Sequence, residues 1–369
     1  MHVYLHVPFC VRRCSYCDFS IAVRKRVPAS EYVECIRAEM RGPGSGVRDS
    51  GLATLYFGGG TPSLLPPDAL TTVLLDVFRS THSLDDLEVT LEANPEDVTP
   101  ANASAWRRAG VNRISLGAQS FNDGVLKWMH RSHDAARIGE AVTVLRHAGF
   151  DNISLDLIFA LPSELERDWA GDLDRAVALG PDHLSLYGLT VESRTPLARW
   201  ISRGAARAPA DDRYAEEYLA AHDRLSRAGF TFYEVSNAAR TGRESRHNSA
   251  YWSGRAYLGL GPAAHSFDGR ARRWNLSAWE AYRRAVSEGR SPVESEEVLT
   301  EEQRELERVY LALRTSQGLD VSVCPAARVP VLVSAGWVEV RGQRVVCTPE
   351  GWLRLDALVR DLTGSRAMS

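Results

Sequence analysis

Three cysteines stand close together near the start of the chain, in the spacing C-x3-C-x2-C. They lie in the run Cys10-Val-Arg-Arg-Cys14-Ser-Tyr-Cys17, and no fourth cysteine is nearby. Iron–sulfur clusters of the four-iron type are usually held by four cysteine thiolates. A loop with three cysteines can bind only three of the four irons. The spacing therefore predicts a [4Fe–4S] cluster whose fourth iron is open to a small molecule.

Zinc and a disulfide are the two alternative uses of these cysteines. Zinc sites favour paired C-x2-C units or a fourth Cys or His ligand, and His6 is the only local candidate for that ligand. Closely spaced thiols in a chain without a secretory signal indicate metal or redox chemistry in a reducing compartment rather than a disulfide with a spare thiol. We therefore favour the iron–sulfur interpretation, and we expect Cys35, Cys324 and Cys347 to be ordinary core residues.

The composition is that of a soluble globular protein. The chain has 369 residues, enough for two domains or for one large domain with an appendage. A net charge of −3 offers no general attraction to nucleic acid or anionic lipid. No apolar run approaches the roughly 18–20 residues of a membrane span, and the start of the chain lacks a signal-peptide pattern. We expect a cytoplasmic protein with no nucleic-acid partner and at most peripheral membrane contact.

Short apolar runs rich in β-branched residues alternate with helix-like stretches over the first half of the chain. The six runs are residues 2–9, 52–57, 87–92, 112–116, 152–157 and 183–189. Helix-like stretches include residues 29–40, 67–79, 135–147 and 165–179. This alternation predicts βα units and a parallel sheet. Six such units fit an α/β fold of the partial (β/α)6 barrel type.

Glycine-rich and polar segments fall where the predicted strands end, the position from which such barrels build their active sites. The missing side chains of Gly58-Gly-Gly-Thr-Pro62 let a ligand approach the backbone closely, although a tight turn is the simpler use of three glycines. Glu92, Gln119 and Asp156 offer donors and acceptors suited to ribose hydroxyls and an ammonium group. Their shared position predicts one binding rim, although each could also be a structural residue of that rim.

The pattern of alternating runs changes near residue 236. We expect a barrel over residues 1–235, a connecting segment over 236–295 and a small C-terminal domain over 296–369. A helical stretch at 300–315, a hairpin-like run at 336–346 and a last helix at 352–362 predict a winged-helix-like α+β unit. DNA-binding modules are basic, but residues 295–369 hold nine Arg against eleven Asp and Glu. Docking or bracing is therefore the expected role of this unit.

The cysteine spacing followed by Gly58-Gly-Gly-Thr-Pro62 resembles the radical S-adenosylmethionine (SAM) superfamily, in which the open iron chelates the amino and carboxylate groups of SAM. The whole chain resembles the oxygen-independent coproporphyrinogen III oxidase family, in the motifs above, in Asp156-Leu-Ile-Phe-Ala-Leu-Pro162 and in the C-terminal domain. Arg131 could pair with a carboxylate. The resemblance implies SAM contacts for Tyr4, Tyr16, Gly59, Gly60, Thr61, Glu92, Gln119, Arg131, Asp156 and, on a less distinctive loop, Thr190.

Two departures from the oxidases favour the HemW-type heme-chaperone branch of this family. The oxidases carry another cysteine two residues after the third cluster cysteine, where this chain has Phe19. They also have an N-terminal arm before the barrel, whereas the first predicted strand here begins at residue 2. Both features are implied in the oxidase reaction, so their absence counts against that activity.

The segment Arg246-His-Asn-Ser-Ala-Tyr-Trp252 reproduces the His-Asn-x-x-Tyr-Trp pattern of the heme-chaperone branch. Imidazole is a common axial ligand of heme iron, and aromatic rings offer a flat apolar surface to a porphyrin. A histidine beside aromatic residues is also typical of a packed or capping residue, and the aromatic residues could instead form a homodimer interface. The sequence does not rank His247 against His265 as the iron ligand. The predicted heme-binding residues are His247, Asn248, Tyr251, Trp252 and His265.

The resemblance thus implies a heme chaperone that carries a SAM-coordinated [4Fe–4S] cluster and transfers heme to acceptor proteins, with respiratory enzymes as the expected acceptors. The alternative function is that of an oxygen-independent coproporphyrinogen III oxidase, which would decarboxylate two propionates to give protoporphyrinogen IX. A third hypothesis is a zinc-stabilised nucleic-acid-binding protein. Whether the protein is an enzyme stays open, and the sequence assigns no catalytic residue.

Overall fold

A large mixed sheet with helices packed on it dominates the computed structural model, which describes residues 1–42, 51–79 and 86–363. Six of its strands are parallel neighbours, as the alternating runs predict. The strands are β1 His2–Val7, β2 Phe9–Cys10, β3 Ala22–Val23, β4 Thr54–Gly59, β5 Glu88–Ala93, β6 Arg113–Gln119, β7 Ile153–Phe159, β8 His183–Gly188, β9 Thr231–Glu234, β10 Asn237–Ala239, β11 Tyr257–Leu260, β12 His265–Phe267, β13 Ala271–Asn275, β14 Val293–Val298, β15 Leu319–Asp320, β16 Val338–Arg341 and β17 Arg344–Cys347.

Helices follow most of the strands, and the α/β class is confirmed. The helices are α1 Ala29–Arg41, α2 Pro67–Arg79, α3 Pro100–Ala109, α4 Asp123–Trp128, α5 Ala135–His147, α6 Trp169–Ala178, α7 Pro196–Ser202, α8 Asp211–Arg227, α9 Arg246–Trp252, α10 Trp279–Ser287, α11 Glu301–Arg314, α12 Val329–Ser334, α13 Pro349–Trp352 and α14 Leu355–Thr363. None of the described helices is both long and apolar enough to cross a membrane.

The order of strands in the main sheet is β14-β13-β12-β11-β1-β4-β5-β6-β7-β8-β10-β9. The six predicted strands are its central part, β1 to β8 without the short β2 and β3. The segment that follows residue 235 extends this sheet at both ends, with β10 beside β8 and β11 to β14 beyond β1. Domain boundaries at 235 and 295 stay a prediction.

The core lies between the parallel strands and the helices that cover them. Strand residues are buried almost continuously, as expected where helices cover a parallel sheet. Cys35, Cys324 and Cys347 are buried free cysteines, which confirms their expected place in the core. Gly110 follows α3 with φ of 107°, a left-handed conformation that glycine adopts without strain.

Differences in element bounds have local causes. The first run, predicted to reach residue 9, ends as β1 at Val7, and beyond Pro8 the chain leaves the main sheet so that β2 pairs with β3. Proline has no backbone N–H to donate to a neighbouring strand. The helix predicted from residue 165 begins only at Trp169, because the Asp168 side chain accepts from the backbone N–H of Gly171 and caps α6.

The C-terminal unit is winged-helix-like, with α11, three further helices and a small sheet in the order β15-β17-β16. It packs against the main sheet and α8. Arg314, at the end of α11, forms an ion pair of 2.8 Å with the wholly buried Glu234 of β9. The indole N–H of Trp352 donates to the Leu313 carbonyl at 3.0 Å. The ion pair braces the unit against the edge of the main sheet, and the Trp352 hydrogen bond ties α13 to α11 within the unit.

Candidate functional site

A cavity of about 380 Å³ opens at the carboxyl ends of the parallel strands, and we call it the cysteine cavity. All three clustered cysteines line it, together with nine of the ten residues expected to contact SAM. Those residues are Cys10, Cys14, Cys17, Tyr16, Gly59, Gly60, Thr61, Glu92, Gln119, Arg131, Asp156 and Thr190. The tenth, Tyr4, lines a different cavity. The structure thus brings together residues from all six predicted strand ends.

The cysteines stand on one wall of this cavity with polar neighbours. The Cys10 sulfur lies 3.3 Å from the Thr61 hydroxyl, and Arg131 Nη1 donates to the Cys14 sulfur at 3.7 Å. Burial raises the pKa of Cys10 to about 11, so a bound cation would have to favour its thiolate. Among the described residues no group of three His, Cys, Asp or Glu could hold a single metal ion. A cubane binds its sulfurs through different irons, so its ligands do not need to converge on one point.

The glycines of the second strand end allow two backbones to approach each other. Gly59 has φ of 113°, and a Cβ at this position would lie 2.7 Å from the His6 ring. A Cβ on Gly60 would lie 2.9 Å from the Pro8 carbonyl. Both positions therefore exclude a side chain, and both glycines line the cysteine cavity.

Two half-buried carboxyl groups line the cysteine cavity. Glu92 accepts from the Tyr56 hydroxyl at 2.9 Å and from the Gly59 N–H at 3.1 Å, and burial raises its pKa to about 7. Asp156 accepts from Ser115 Oγ at 3.0 Å, and burial raises the pKa of this carboxyl as well. Both groups therefore hold a proton more readily than an ordinary carboxyl, so each can meet a polar ligand as a donor or as an acceptor.

Irregular backbone positions Gln119, and hydrogen bonds to neighbouring groups position Arg131. Gln119 has φ of 65° at a break in the pairing of β6 with β7, a strained conformation of the kind found at functional sites. Arg131 Nη2 donates to Asn94 Oδ1 at 2.5 Å and to the Gly117 carbonyl at 3.1 Å. Sequence reasoning missed Asn94, although it directly follows β5 at the same rim.

A second and larger cavity, of about 1190 Å³, lies between β11, β12 and the C-terminal unit, and we call it the aromatic cavity. Its aromatic walls are Tyr4, Tyr233, Tyr251, Trp252, Tyr257 and Phe267. Arginines surround its polar part: Arg255, Arg272, Arg304, Arg308 and Arg344. Three of the five residues predicted to bind heme, Tyr251, Trp252 and His265, are among the lining residues, whereas His247 and Asn248 are not.

His247 lies behind Tyr251 and is 1% exposed. Its Nδ1 is hydrogen-bonded to Thr54 Oγ1 at 2.7 Å and its Nε2 to the Tyr251 hydroxyl at 2.9 Å. The imidazole stacks on Tyr56 with ring centroids 4.9 Å apart, and burial lowers its pKa to about 3. His247 therefore has the contacts of a neutral packed residue.

His265 is exposed and begins β12, at the edge of the aromatic cavity. Its ring stacks on Trp274 of the neighbouring strand, at 5.8 Å between centroids and 24° between planes. Tyr257 and Phe267, which sequence reasoning missed, pair across β11 and β12.

Comparisons with known proteins agree with this arrangement. The sequence profile of the Radical SAM superfamily matches residues 4–176. The chain is 40% identical to the heme chaperone HemW of Mycobacterium tuberculosis, over 98% of this chain and 94% of that protein. It is 34% identical to the heme chaperone HemW of Bacillus subtilis, over 86% of this chain and 84% of that protein.

Among solved structures, the fold is similar to that of coproporphyrinogen III oxidase (HemN) from Escherichia coli, a radical SAM enzyme. The TM-score is 0.81 at 22% identity, with 98% of this chain and 89% of that chain covered. At this identity the similarity shows a common fold but does not establish a common activity.

Proposed function

The chain belongs to the HemW heme-chaperone family of the radical SAM superfamily, and from this premise we propose that it binds heme and passes it to acceptor proteins. The observation that carries the proposal is similarity to HemW over almost the whole of both chains. The aromatic cavity supports it, because flat apolar walls with a few polar groups are the usual surroundings of a bound cofactor.

We further propose that Cys10, Cys14 and Cys17 hold a [4Fe–4S] cluster in the cysteine cavity. Three thiols on one wall, with room for a ligand beside them, suit a cluster with one open iron. That iron would chelate the amino and carboxylate groups of SAM. The donor set of the cavity therefore fits both groups.

The chain's own residues would bind and orient SAM around this position. Glu92 and Asp156 would accept hydrogen bonds from the ribose and ammonium groups, since both carboxylates face the cysteine cavity. Arg131 would favour the carboxylate end, because its guanidinium already reaches the Cys14 sulfur beside that position. Gly59 and Gly60 would present backbone groups to the ligand.

Phe19 supports the chaperone over the oxidase. The side chain is 60% exposed and lines the cysteine cavity, at the position where the oxidases are expected to carry their extra cysteine. A phenyl ring has no ionisable group with which to take part in proton transfer. We also propose that the protein is cytoplasmic and that its heme acceptors are respiratory enzymes.

The test is anaerobic reconstitution with iron and sulfide, followed by heme titration and transfer to a heme-free acceptor, all on one preparation. The expected result is about one heme bound per chain, a brown cluster-loaded protein and heme appearing in the acceptor. Coproporphyrinogen III with SAM and dithionite is assayed on the same sample. Robust formation of protoporphyrinogen IX would overturn the chaperone proposal, and so would a protein that binds no heme.

A further inference from the structure

We propose that the aromatic cavity is the heme site and that His265, not His247, is the axial ligand of the heme iron. This inference rests on the proposed function, and it names the residue that the sequence alone left undecided. Among the described residues, His6 and His265 line this cavity, and His183 and His247 are each bonded to a tyrosine of its wall. An axial ligand needs an accessible ring nitrogen with a free lone pair.

The ring nitrogens of three of these histidines are already engaged. His183 is bonded through Nδ1 to Ser154 Oγ and through Nε2 to the Tyr233 hydroxyl, both at 2.8 Å. His247 bonds Thr54 and Tyr251, as described above. His6 Nδ1 is 3.2 Å from the Tyr4 hydroxyl, and its Nε2 is 3.1 Å from the Ser20 carbonyl. Ligation by any of these three residues would break hydrogen bonds in a buried environment, which costs about 1–3 kcal/mol for each group left unpaired.

His265 is the histidine that meets the requirement. It is exposed at the cavity edge, and within the described residues neither of its ring nitrogens has a hydrogen-bond partner. Stacking on Trp274 fixes the plane of the imidazole. An oriented imidazole with free nitrogens is prepared to bind a metal without first losing other bonds.

The backbone around His265 is held closely in place. A Cβ on Gly259 would lie 2.1 Å from the His265 carbonyl, so only glycine permits β11 and β12 to pair at this point. The loop before β12 is tied to α1 by Glu39, which accepts from the Gly261 N–H at 2.8 Å and from Asn275 Nδ2 at 2.5 Å. The ligand position is therefore preorganised by contacts that do not involve heme.

The charges on the cavity wall fit a porphyrin that carries two propionates. Five arginines line the cavity against the three acidic residues Glu244, Glu307 and Asp320. Arg272 is paired with Glu307 across the cavity. No ion pair within the described residues involves Arg255 or Arg344, and Arg344 Nη1 instead donates to the Gly318 carbonyl at 3.4 Å. These two guanidinium groups are thus available to carboxylates.

His247 is then a positioning residue. Its hydrogen bond holds the Tyr251 hydroxyl at the cavity floor, while its other face stacks on Tyr56, the tyrosine that donates to Glu92 in the cysteine cavity. The imidazole fills the space between the two cavities. Loss of this residue should disturb the shape of the heme site without removing the bond to iron.

The experiment is a heme titration of the cluster-loaded full chain, followed by optical absorption and electron paramagnetic resonance. His265→Gly is expected to lose the histidine-ligated signature and to weaken heme binding about tenfold or more. Added imidazole should restore the signature in His265→Gly. His247→Gln should keep the wild-type signature with affinity within about threefold. The exposed His147 of α5 provides the matched control, and His147→Gly should behave like the wild type.

Three results would overturn the assignment. An unchanged signature in His265→Gly, or its loss in a folded His247→Gln protein with His265 intact, would move the ligand elsewhere while the proposed function stands. A wild-type protein that binds no heme would remove the proposed function and this inference together. Circular dichroism of each variant separates loss of the ligand from loss of the fold.

Discussion

The cysteine cavity and the aromatic cavity differ in how the chain builds them. Consecutive strand ends form the cysteine cavity, so its residues follow one another along the chain at the same edge of the sheet. The aromatic cavity is enclosed by α9, β11, β12 and α11, elements that meet only when the C-terminal unit packs against the sheet. The residues of the cysteine cavity are therefore set by the order of strands along the chain, whereas those of the aromatic cavity are set by packing between distant segments.

Among the residues that the structure describes, the two cavities share no lining residue. Tyr56 and His247 stack on each other between the two cavities. Tyr56 donates a hydrogen bond to Glu92 of the cysteine cavity, and His247 is hydrogen-bonded to Tyr251 of the aromatic cavity. Substitutions in one cavity should therefore affect its own ligand strongly and the other ligand weakly. The first two of the following expected outcomes test that separation, and the other two test a single carboxyl each.

The largest effect is expected for Cys14→Ala. Loss of one of three sulfur ligands should lower the iron content of anaerobically reconstituted protein by about tenfold or more. Heme affinity, measured by titration, should remain within about twofold because the aromatic cavity contains none of these cysteines. Cys35→Ala, at a buried core cysteine, is the control and should retain iron. Equal loss of iron and heme in Cys14→Ala would contradict two separate sites.

Arg314→Met should weaken the attachment of the C-terminal unit to the main sheet and lower the stability of the protein. Glu234 would be left as a wholly buried carboxylate without its partner, and breaking such a pair costs about 3–5 kcal/mol. Arg314 also lies over the Trp252 ring at 4.0 Å, so heme affinity should fall while SAM affinity is kept. Chemical denaturation measures the free energy of unfolding. Arg314→Met with Glu234→Gln should recover part of the loss, and a single variant as stable as the wild type would refute the bracing role.

Glu39, which ties α1 to the loop before β12, should make stability depend on pH. Burial raises its pKa from 4.5 to about 7, so the folded protein binds a proton that the unfolded chain releases between these values. Stability of the wild type relative to Glu39→Gln should therefore rise as pH falls from 7 to about 5.5, by up to about 2 kcal/mol. Denaturation curves of both proteins at several pH values provide the measurement, and parallel pH profiles would rule out this carboxylate as the cause.

The smallest change in free energy is expected for Glu92 and SAM. Its pKa of about 7 means that the carboxylate is largely ionised at pH 8 and largely protonated at pH 6. If the ionised form accepts the ligand's hydrogen bonds, SAM affinity should fall about tenfold over this range. Glu92→Gln should bind SAM more weakly at pH 8 and show a flatter pH profile in equilibrium binding. The same slope in both proteins would exclude Glu92 as the titrating group.

Most of the cysteine cavity could be predicted from the sequence. Parallel strands run in one direction, so the segments after each apolar run had to meet at one edge of the sheet. That rule predicted the positions of Glu92, Gln119 and Asp156, which line one cavity with the cysteines. Tyr56 and Asn94 were missed because their roles consist of hydrogen bonds to Glu92 and Arg131, which no spacing reveals.

The sequence by itself determined the α/β alternation, the three-cysteine loop and the presence of a His-Asn-x-x-Tyr-Trp motif. Only the tertiary structure decided that His247 of this motif lies behind Tyr251 with both nitrogens bonded, and that His265 faces the aromatic cavity. The physical reason is that spacing along a strand or loop sets which residues are neighbours, whereas burial and free lone pairs depend on every other segment packed around them.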